Sequence, residues 1–245
     1  MSLVLTHAKY QILEIVRIPI AVIGNVFFPS AIMLFFVVPF TGDDPVAATF
    51  ATGSMVTFAV MSTCLFSYGI GVAEDRAQPW DPYLRTLPAG PWPRMGGRIC
   101  AGLVMIGIAL VPVLIIAALF TEATVSPLGL LLGLGALAVA ALPFTFLGLL
   151  IGYTLPSKAA IAVAQVVFFP LAFGGGLLTN PQQSPAFIEI IAPYLPTRGA
   201  VELVWAAVAD FTPQVTSLIS LAVWTAAAGA LAAWAFRRDE GRRFS

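Results

Sequence analysis

The residues whose types could support chemistry are concentrated in one stretch, between Glu74 and Arg98. Four of the twelve Lys and Arg residues of the chain lie in it, together with acidic and aromatic side chains. Apolar anchors beside charged groups are typical of a protein–protein interface. The piece Asp81–Leu87 is long enough for about two helical turns, and a proline at position 82 is tolerated in the first turn. The composition therefore predicts a docking surface, formed by Glu74, Asp75, Arg76, Trp80, Tyr83, Leu84, Arg85 and Leu87.

The rest of the chain lacks the side-chain groups that enzymatic or metal chemistry needs. His7 is the only histidine, and no cluster of Cys, His or carboxylate residues surrounds it. Cys64 and Cys100 lie in or beside apolar segments, where packing is their expected role. There is no Gly-x-x-x-x-Gly-Lys-Ser/Thr motif, and no lysine follows the run Gly174–Gly176. We therefore expect a chain that is not an enzyme and binds no metal or cofactor itself.

The elements that must position the docking stretch are membrane helices. The 245 residues are 59% hydrophobic and 10% charged, whereas soluble domains have about 25% charged residues. At about 1.5 Å per residue, six uncharged runs are each long enough to cross a hydrocarbon core of about 30 Å. We predict one all-α membrane domain over residues 1–245. Its six spans are Ile18–Phe40, Ala47–Ala73, Ile99–Thr121, Leu128–Leu155, Ala159–Leu178 and Gln214–Phe236.

Two further segments are helical in pattern but do not cross the membrane. Residues 1–17 alternate apolar and charged positions, which predicts an amphipathic helix lying in the lipid headgroup region. Between spans 5 and 6, the apolar pieces Ala186–Leu195 and Gly199–Ala209 are each only about ten residues long, too short to cross. We therefore predict a re-entrant helical hairpin in the segment Thr179–Pro213.

The distribution of basic residues predicts the orientation of the chain. Six spans place both termini on one side, together with the loop around residues 74–98. Of the twelve Lys and Arg residues, only Arg198 falls on the opposite side. Because loops on the cytoplasmic side collect Lys and Arg, both termini and the docking stretch are predicted to be cytoplasmic. The basic residues are spread among loops, so no nucleic-acid partner is expected.

The six predicted spans contain no Asp, Glu, Lys, Arg or His. Carriers that use an ion gradient place ionisable residues inside the membrane, so this absence argues against such coupling. Four prolines inside the spans can kink the helices and allow movement: Pro29, Pro112, Pro143 and Pro170. A separate ATPase on the cytoplasmic side is then the simplest energy source. The alternatives are an ATP-independent secondary carrier or channel and a structural or sensory membrane subunit.

Several motifs resemble the permease subunits of ABC-2 type (type V) ABC transporters. The first group is Glu74-Asp75-Arg76, then Pro79-Trp80, then Leu84-Arg85-Thr86-Leu87-Pro88, with Pro79 where a glycine is common in that family. The second group is the stretch Phe168–Gly176, then Pro185, then Ala192-Pro193-Tyr194-Leu195-Pro196. Arg17-Ile18-Pro19 and Phe27-Phe28-Pro29 are similar to the family's first span. The resemblance covers nearly the whole chain.

The resemblance implies a half-transporter in a bacterial cytoplasmic membrane, surrounded by lipid. It implies a second permease protomer, identical or homologous, and two ABC ATPase subunits that hold ATP and Mg. The expected activity is export of a drug, antibiotic, lipid or other amphipathic molecule. The acidic and basic residues 74–76 are expected to pair with the N-terminal helix or the ATPase. The residues expected to line the route between protomers are Asn25, Phe28, Met33, Gln165, Phe169 and Phe173.

Overall fold

The computed structural model describes residues 3–17, 19–81, 83, 92–179 and 184–241. The described residues form helices and turns without a strand, which confirms the predicted all-α class. Six helices in this described part of the chain are long and apolar enough to cross a membrane. We number them as spans 1 to 6, with bounds Val22–Thr41, Pro45–Arg76, Trp92–Phe120, Pro127–Thr154, Ser157–Gly174 and Val215–Glu240.

The helices begin where the local sequence satisfies their first N–H groups. The Asp44 carboxylate accepts from the N–H groups of Val46 and Ala47, at 2.9 and 3.1 Å, just before span 2. The Ser126 hydroxyl accepts from the Gly129 N–H at 3.0 Å, just before span 4. In both spans the first helical residue is a proline, whose missing N–H would have no partner there.

Three spans extend beyond their predicted ends into charged sequence. Span 2 continues to Arg76 instead of ending at Ala73, span 3 begins at Trp92 instead of Ile99, and span 6 continues to Glu240. Hydropathy identifies only the part of a helix that would lie in the hydrocarbon core of the bilayer. The helix itself can continue beyond that part with charged side chains. The spans therefore carry ionisable residues at their ends. We call the end of the bundle that holds Glu74, Arg76 and Arg98 the charged end.

Span 2 is the central helix of the bundle. Among the 18 most apolar consecutive residues of span 2, 78% are buried. In the corresponding segments of the other spans, only 17 to 28% of the residues are buried. Its contact with span 4 is close because span 4 carries glycines there. A Cβ atom at Gly148 would lie 2.6 Å from the carbonyl oxygen of Cys64, and one at Gly152 would lie 2.6 Å from the Cβ of Val72. Glycine at these positions lets the two helix backbones approach.

Short helices lie beside the spans at both ends of the bundle. The N-terminal helix Leu3–Val16 packs against the start of span 3, where Gly96 and Gly97 leave room for its side chains. At the opposite end, helices Ala186–Ile191 and Pro196–Val208 are joined by a 3-10 turn at Ala192–Tyr194. We call these two helices the hairpin, and their end of the bundle the hairpin end. The interfacial and re-entrant positions of these segments stay predictions.

Candidate functional site

A cavity of about 680 Å³ lies among five helices of the bundle. The N-terminal helix and spans 1, 2, 3 and 5 each contribute lining residues. Most of the wall is apolar, with a few polar side chains from span 2 and charged side chains near the charged end. A mostly apolar cavity with a few placed polar groups is the usual form of a small-molecule site. We call it the central cavity.

Five of the six predicted pathway residues line the central cavity: Asn25, Phe28, Gln165, Phe169 and Phe173. Asn25 donates a hydrogen bond from its Nδ2 to the hydroxyl of Ser67 in span 2, at 3.4 Å. The sixth predicted residue, Met33, is fully buried in the core and is not among the lining residues. Each helical residue turns the chain by about 100°. Asn25, Phe28 and Ile32 therefore share a face, and Met33 points away from it.

A cluster of phenylalanine rings forms the apolar part of the cavity wall. The Phe168 ring lies at its centre, with centroid distances of 5.0 Å to Phe58, 5.2 Å to Phe66 and 5.4 Å to Phe169. The Phe169 and Phe173 rings stack at 6.4 Å. Phe58, Phe66 and Phe168 were not among the predicted pathway residues, although Phe168 begins one of the motifs of the family resemblance. Phe168 and Phe169 directly precede Pro170, and a pair of aromatic residues before a proline inside a span is the feature of the sequence that could have indicated Phe168.

The charged end of the cavity is lined by Glu14, Glu74, Asp75 and Arg98. Arg98, from the second turn of span 3, forms an ion pair with Asp75. The side chain of Arg98 is 16% exposed and that of Asp75 is 43% exposed. Two of the predicted docking residues, Glu74 and Asp75, thus face the cavity as well as the protein surface.

The partly exposed side chain of Arg76 binds two other spans at the charged end. Its guanidinium forms an ion pair with Asp239 of span 6 at 2.8 Å. Its Nη1 also donates to the carbonyl oxygens of Gly152 and Leu155, at 2.9 and 3.3 Å. Asp75 and Arg76 thus bind spans 3, 4 and 6 of the chain itself, and the expected pairing of residues 74–76 with the N-terminal helix or the ATPase stays a prediction. The partner Asp239 is far away in sequence, so local patterns could not indicate it.

The aromatic part of the predicted docking surface is exposed. The Trp80 residue is 57% exposed and Tyr83 is 66% exposed. Between them, Asp81 is buried and forms an ion pair with Arg94 of span 3 at 2.8 Å. This ion pair ties the start of the surface to the first turn of span 3. The remaining predicted docking residues, Leu84, Arg85 and Leu87, lie outside the described residues.

The hairpin holds a buried ion pair that the sequence analysis missed. Arg198 donates from Nε to the Glu202 carboxylate at 2.6 Å, and the Glu202 side chain is fully buried. The backbone N–H of Gln214 donates to the second carboxylate oxygen at 2.8 Å. The Arg198 guanidinium also lies 5.2 Å from the centre of the Trp205 ring. The i,i+4 spacing of Arg198 and Glu202 is typical of an ion pair on one helix, and this spacing could have indicated the contact from the sequence.

Trp205 fixes the hairpin to span 2. Its indole N–H donates to the carbonyl oxygen of Phe50 at 2.9 Å, and its ring packs edge-on against Phe50 and Phe211. A Cβ atom at Gly53 would lie 2.9 Å from the Trp205 ring, so glycine is needed for this fit. The hairpin is thereby held against the central helix, at the end opposite the predicted docking surface.

Comparison with known proteins identifies a matching family and a similar curated protein. The family described as "ABC-2 type transporter" matches residues 2–208 of the chain. "Putative transport permease YvfS" of Bacillus subtilis (strain 168) is 26% identical over 155 residues, which are 62% of this chain and 63% of that protein. The match thus spans less than two thirds of this relative's length. Because the family match covers well over half of the sequence, the chain belongs to the ABC-2 type transporter family.

Proposed function

We propose that this chain is the membrane-spanning subunit of an ATP-driven exporter that moves a drug, antibiotic, lipid or other amphipathic molecule. The observation that carries the proposal is the central cavity, whose aromatic wall leads from the charged end toward the hairpin end. Membership of the ABC-2 family supports a transporter permease with an ABC ATPase partner. The working assembly is two permease protomers, identical or homologous, with two ATPase subunits. ATP and Mg bind to the ATPases.

In this proposal the charged end faces the cytoplasm of a bacterium and the hairpin end faces outward. The positive-inside bias supports this orientation, since eleven of the twelve Lys and Arg residues belong to the predicted cytoplasmic side. Substrate enters the central cavity from the cytoplasmic half of the bilayer. Two protomers enclose the route between their first and fifth spans.

Coupling to the ATPase takes place at the surface that begins with Trp80 and Tyr83. Closure of two ATPase subunits can move a membrane bundle only through a firm contact. The surface is firmly attached, because Asp81 is bound to Arg94 of span 3 and the preceding helix is bound through Arg76 to span 6. Exposed aromatic side chains are the usual anchors of such contacts.

We expect the double variant Trp80→Ala with Tyr83→Ala to lose ATPase binding. Removing two interface aromatic anchors costs about 2 kcal/mol or more of binding energy each, which is at least tenfold in affinity. Co-purification of the ATPase with a tagged permease measures this loss. Phe187→Ala is the matched control, since Phe187 is as exposed as Trp80 but lies in the hairpin. Full ATPase binding by the double variant would place the docking site in residues 1–17 or the Pro156–Lys158 turn.

We expect bulky side chains in the central cavity to block transport. In Asn25→Trp and Gln165→Trp, the new ring occupies space that the substrate needs, while the helices keep their outer contacts. Transport should fall at least about tenfold, and stimulation of the ATPase by substrate should be lost. Val166→Trp is the control, because Val166 is the next residue of span 5, is exposed, and does not line the cavity. Unchanged transport in both cavity variants would exclude the cavity as the route.

The ATP-independent carrier or channel is the second candidate. The ionisable residues at the charged end, above all Glu74 and Arg98, are the observation in its favour, since they line the cavity. They lie at helix ends, however, and not in the middle of a span. A carrier would move its substrate in the absence of any ATPase, which separates the two functions experimentally.

A further inference from the structure

The central cavity has charged groups at only one of its ends. Its charged lining residues come from the end of span 2, the second turn of span 3 and the N-terminal helix. Toward the hairpin end, the wall consists of apolar side chains such as Phe169, Phe173 and Leu178. A molecule that fills the cavity therefore meets charge at one end and, along the rest of its length, a mostly apolar surface with a few neutral polar side chains such as Asn25, Ser67 and Gln165.

The charge at that end is predominantly negative. Three carboxylates, Glu14, Glu74 and Asp75, line it together with one guanidinium, that of Arg98. Asp75 and Arg98 already neutralise each other in their ion pair. Glu14 also interacts with the charge of Arg98, and Glu74 forms no ion pair within the described residues. This end of the cavity thus has two carboxylates more than guanidinium groups, and the excess negative charge attracts a cation. Near a low-dielectric bundle, such an attraction is stronger than in bulk water.

The aromatic wall also favours a positive charge. The face of a phenylalanine ring carries a partial negative charge and attracts organic cations. Phe28, Phe66, Phe168 and Phe169 all line the cavity. These rings give an apolar molecule a surface to pack against. They also attract a delocalised positive charge, although they carry no formal negative charge.

A third observation at the same end is an unused hydrogen-bond acceptor. Gln11 of the N-terminal helix lines the cavity, and its Oε1 is buried with no hydrogen-bond partner in the part of the chain that the structure describes. Buried polar atoms are usually paired, and an unpaired one needs a reason. An N–H donor on a bound molecule would pair it.

We propose that the central cavity binds an amphipathic organic cation, with the positive group beside Glu14 and Glu74 and the apolar body against the phenylalanine rings. The inference rests on the proposed export function and names its substrate class. It distinguishes this chain from permeases that move anionic lipids or polysaccharides, whose negative groups would be repelled by the two glutamates.

Tetraphenylphosphonium and tetraphenylborate provide the test, because they share size and shape and differ in the sign of their charge. Each ion is dialysed to equilibrium against the purified permease in phosphatidylcholine nanodiscs, and binding to empty nanodiscs is subtracted. We expect saturable binding of the cation, at least about tenfold tighter than that of the anion. Equal or tighter binding of tetraphenylborate would overturn the proposal. This comparison uses the unaltered chain, so it does not depend on whether a variant folds.

The double variant Glu14→Gln with Glu74→Gln tests the assigned residues. It keeps the size of both side chains and removes both charges, so the affinity for tetraphenylphosphonium should fall about tenfold or more. Glu189→Gln is the control, because Glu189 is exposed on the hairpin, away from the cavity. Unchanged affinity in the double variant would contradict the proposal.

The test is independent of the proposed ATP coupling, because no ATPase is present in it. Binding of the cation without any ATP-dependent transport would refute the exporter and leave the substrate class standing. ATP-dependent transport of other molecules, without binding of tetraphenylphosphonium, would refute the substrate class and leave the exporter standing.

Discussion

Replacing Glu202 by alanine is expected to unfold the hairpin and to give the largest loss of stability of any single substitution considered. The carboxylate is fully buried between Arg198 and the Gln214 N–H. Its removal leaves the guanidinium, whose side chain is 10% exposed, without a counter-ion. Breaking a buried ion pair in this way costs about 3–5 kcal/mol. For a chain of this size, the unfolding temperature in detergent should fall by roughly 10 °C.

Two further variants test whether the loss of stability comes from the broken ion pair or from any substitution in the hairpin. Glu189→Ala, at an exposed position of the other hairpin helix, should leave the unfolding temperature unchanged. The double variant Arg198→Met with Glu202→Leu should recover most of the lost stability, because it removes both charges together. If Glu202→Ala is as stable as Glu189→Ala, the ion pair does not hold the hairpin.

Replacing Arg76 by alanine is expected to release the end of span 2 and to uncouple the ATPase. The variant leaves Asp239 buried without its guanidinium and leaves two carbonyl oxygens, of Gly152 and Leu155, without this donor. Because Arg76 is partly exposed, we expect a loss of about 2–3 kcal/mol, below the full cost of a buried pair. The docking surface that begins at Trp80 then has no fixed position relative to spans 4 and 6.

The expected signature of Arg76→Ala is ATP hydrolysis that continues while transport falls. ATPase binding should remain, because the aromatic anchors are still present. Arg76→Lys should keep part of the function, since the lysine ammonium group can still pair with Asp239. It lacks the planar set of N–H donors with which the guanidinium also binds the two carbonyl oxygens. Arg237→Ala is the control, because this exposed arginine lies two residues from Asp239 in the same helix. Equal transport in Arg76→Ala and Arg237→Ala would show that the guanidinium does not transmit movement.

Hydropathy predicted the spans well, because the membrane imposes a strong and simple requirement on their apolar length. The helices extend beyond the predicted bounds of the spans at the charged end, where span 2 continues to Arg76 and span 3 begins at Trp92. The extended helix ends carry ion pairs, Asp75 with Arg98 and Asp81 with Arg94, and hydropathy contains no information on such pairs.

Residues of the candidate site could be predicted where the neighbouring sequence made them stand out. Asn25 and Gln165 are isolated polar residues in apolar helices near prolines, and both line the central cavity. Met33, another predicted residue of span 1, is fully buried in the core, because helical periodicity turns it away from the face that carries Asn25 and Phe28. The bond between Arg76 and Asp239 joins residues 163 positions apart, so it follows from tertiary packing alone.

The measurement that tests the central proposal most directly is transport in proteoliposomes that contain the chain with or without its co-purified ABC ATPase. An amphipathic fluorescent dye is added on the ATPase side, and its movement is followed with and without ATP and Mg. We predict that the dye moves only when the chain, the ATPase and ATP are all present, and that a hydrolysis-deficient ATPase stops it. Equal movement of the dye through the chain alone would contradict an ATP-driven permease and establish a carrier or channel.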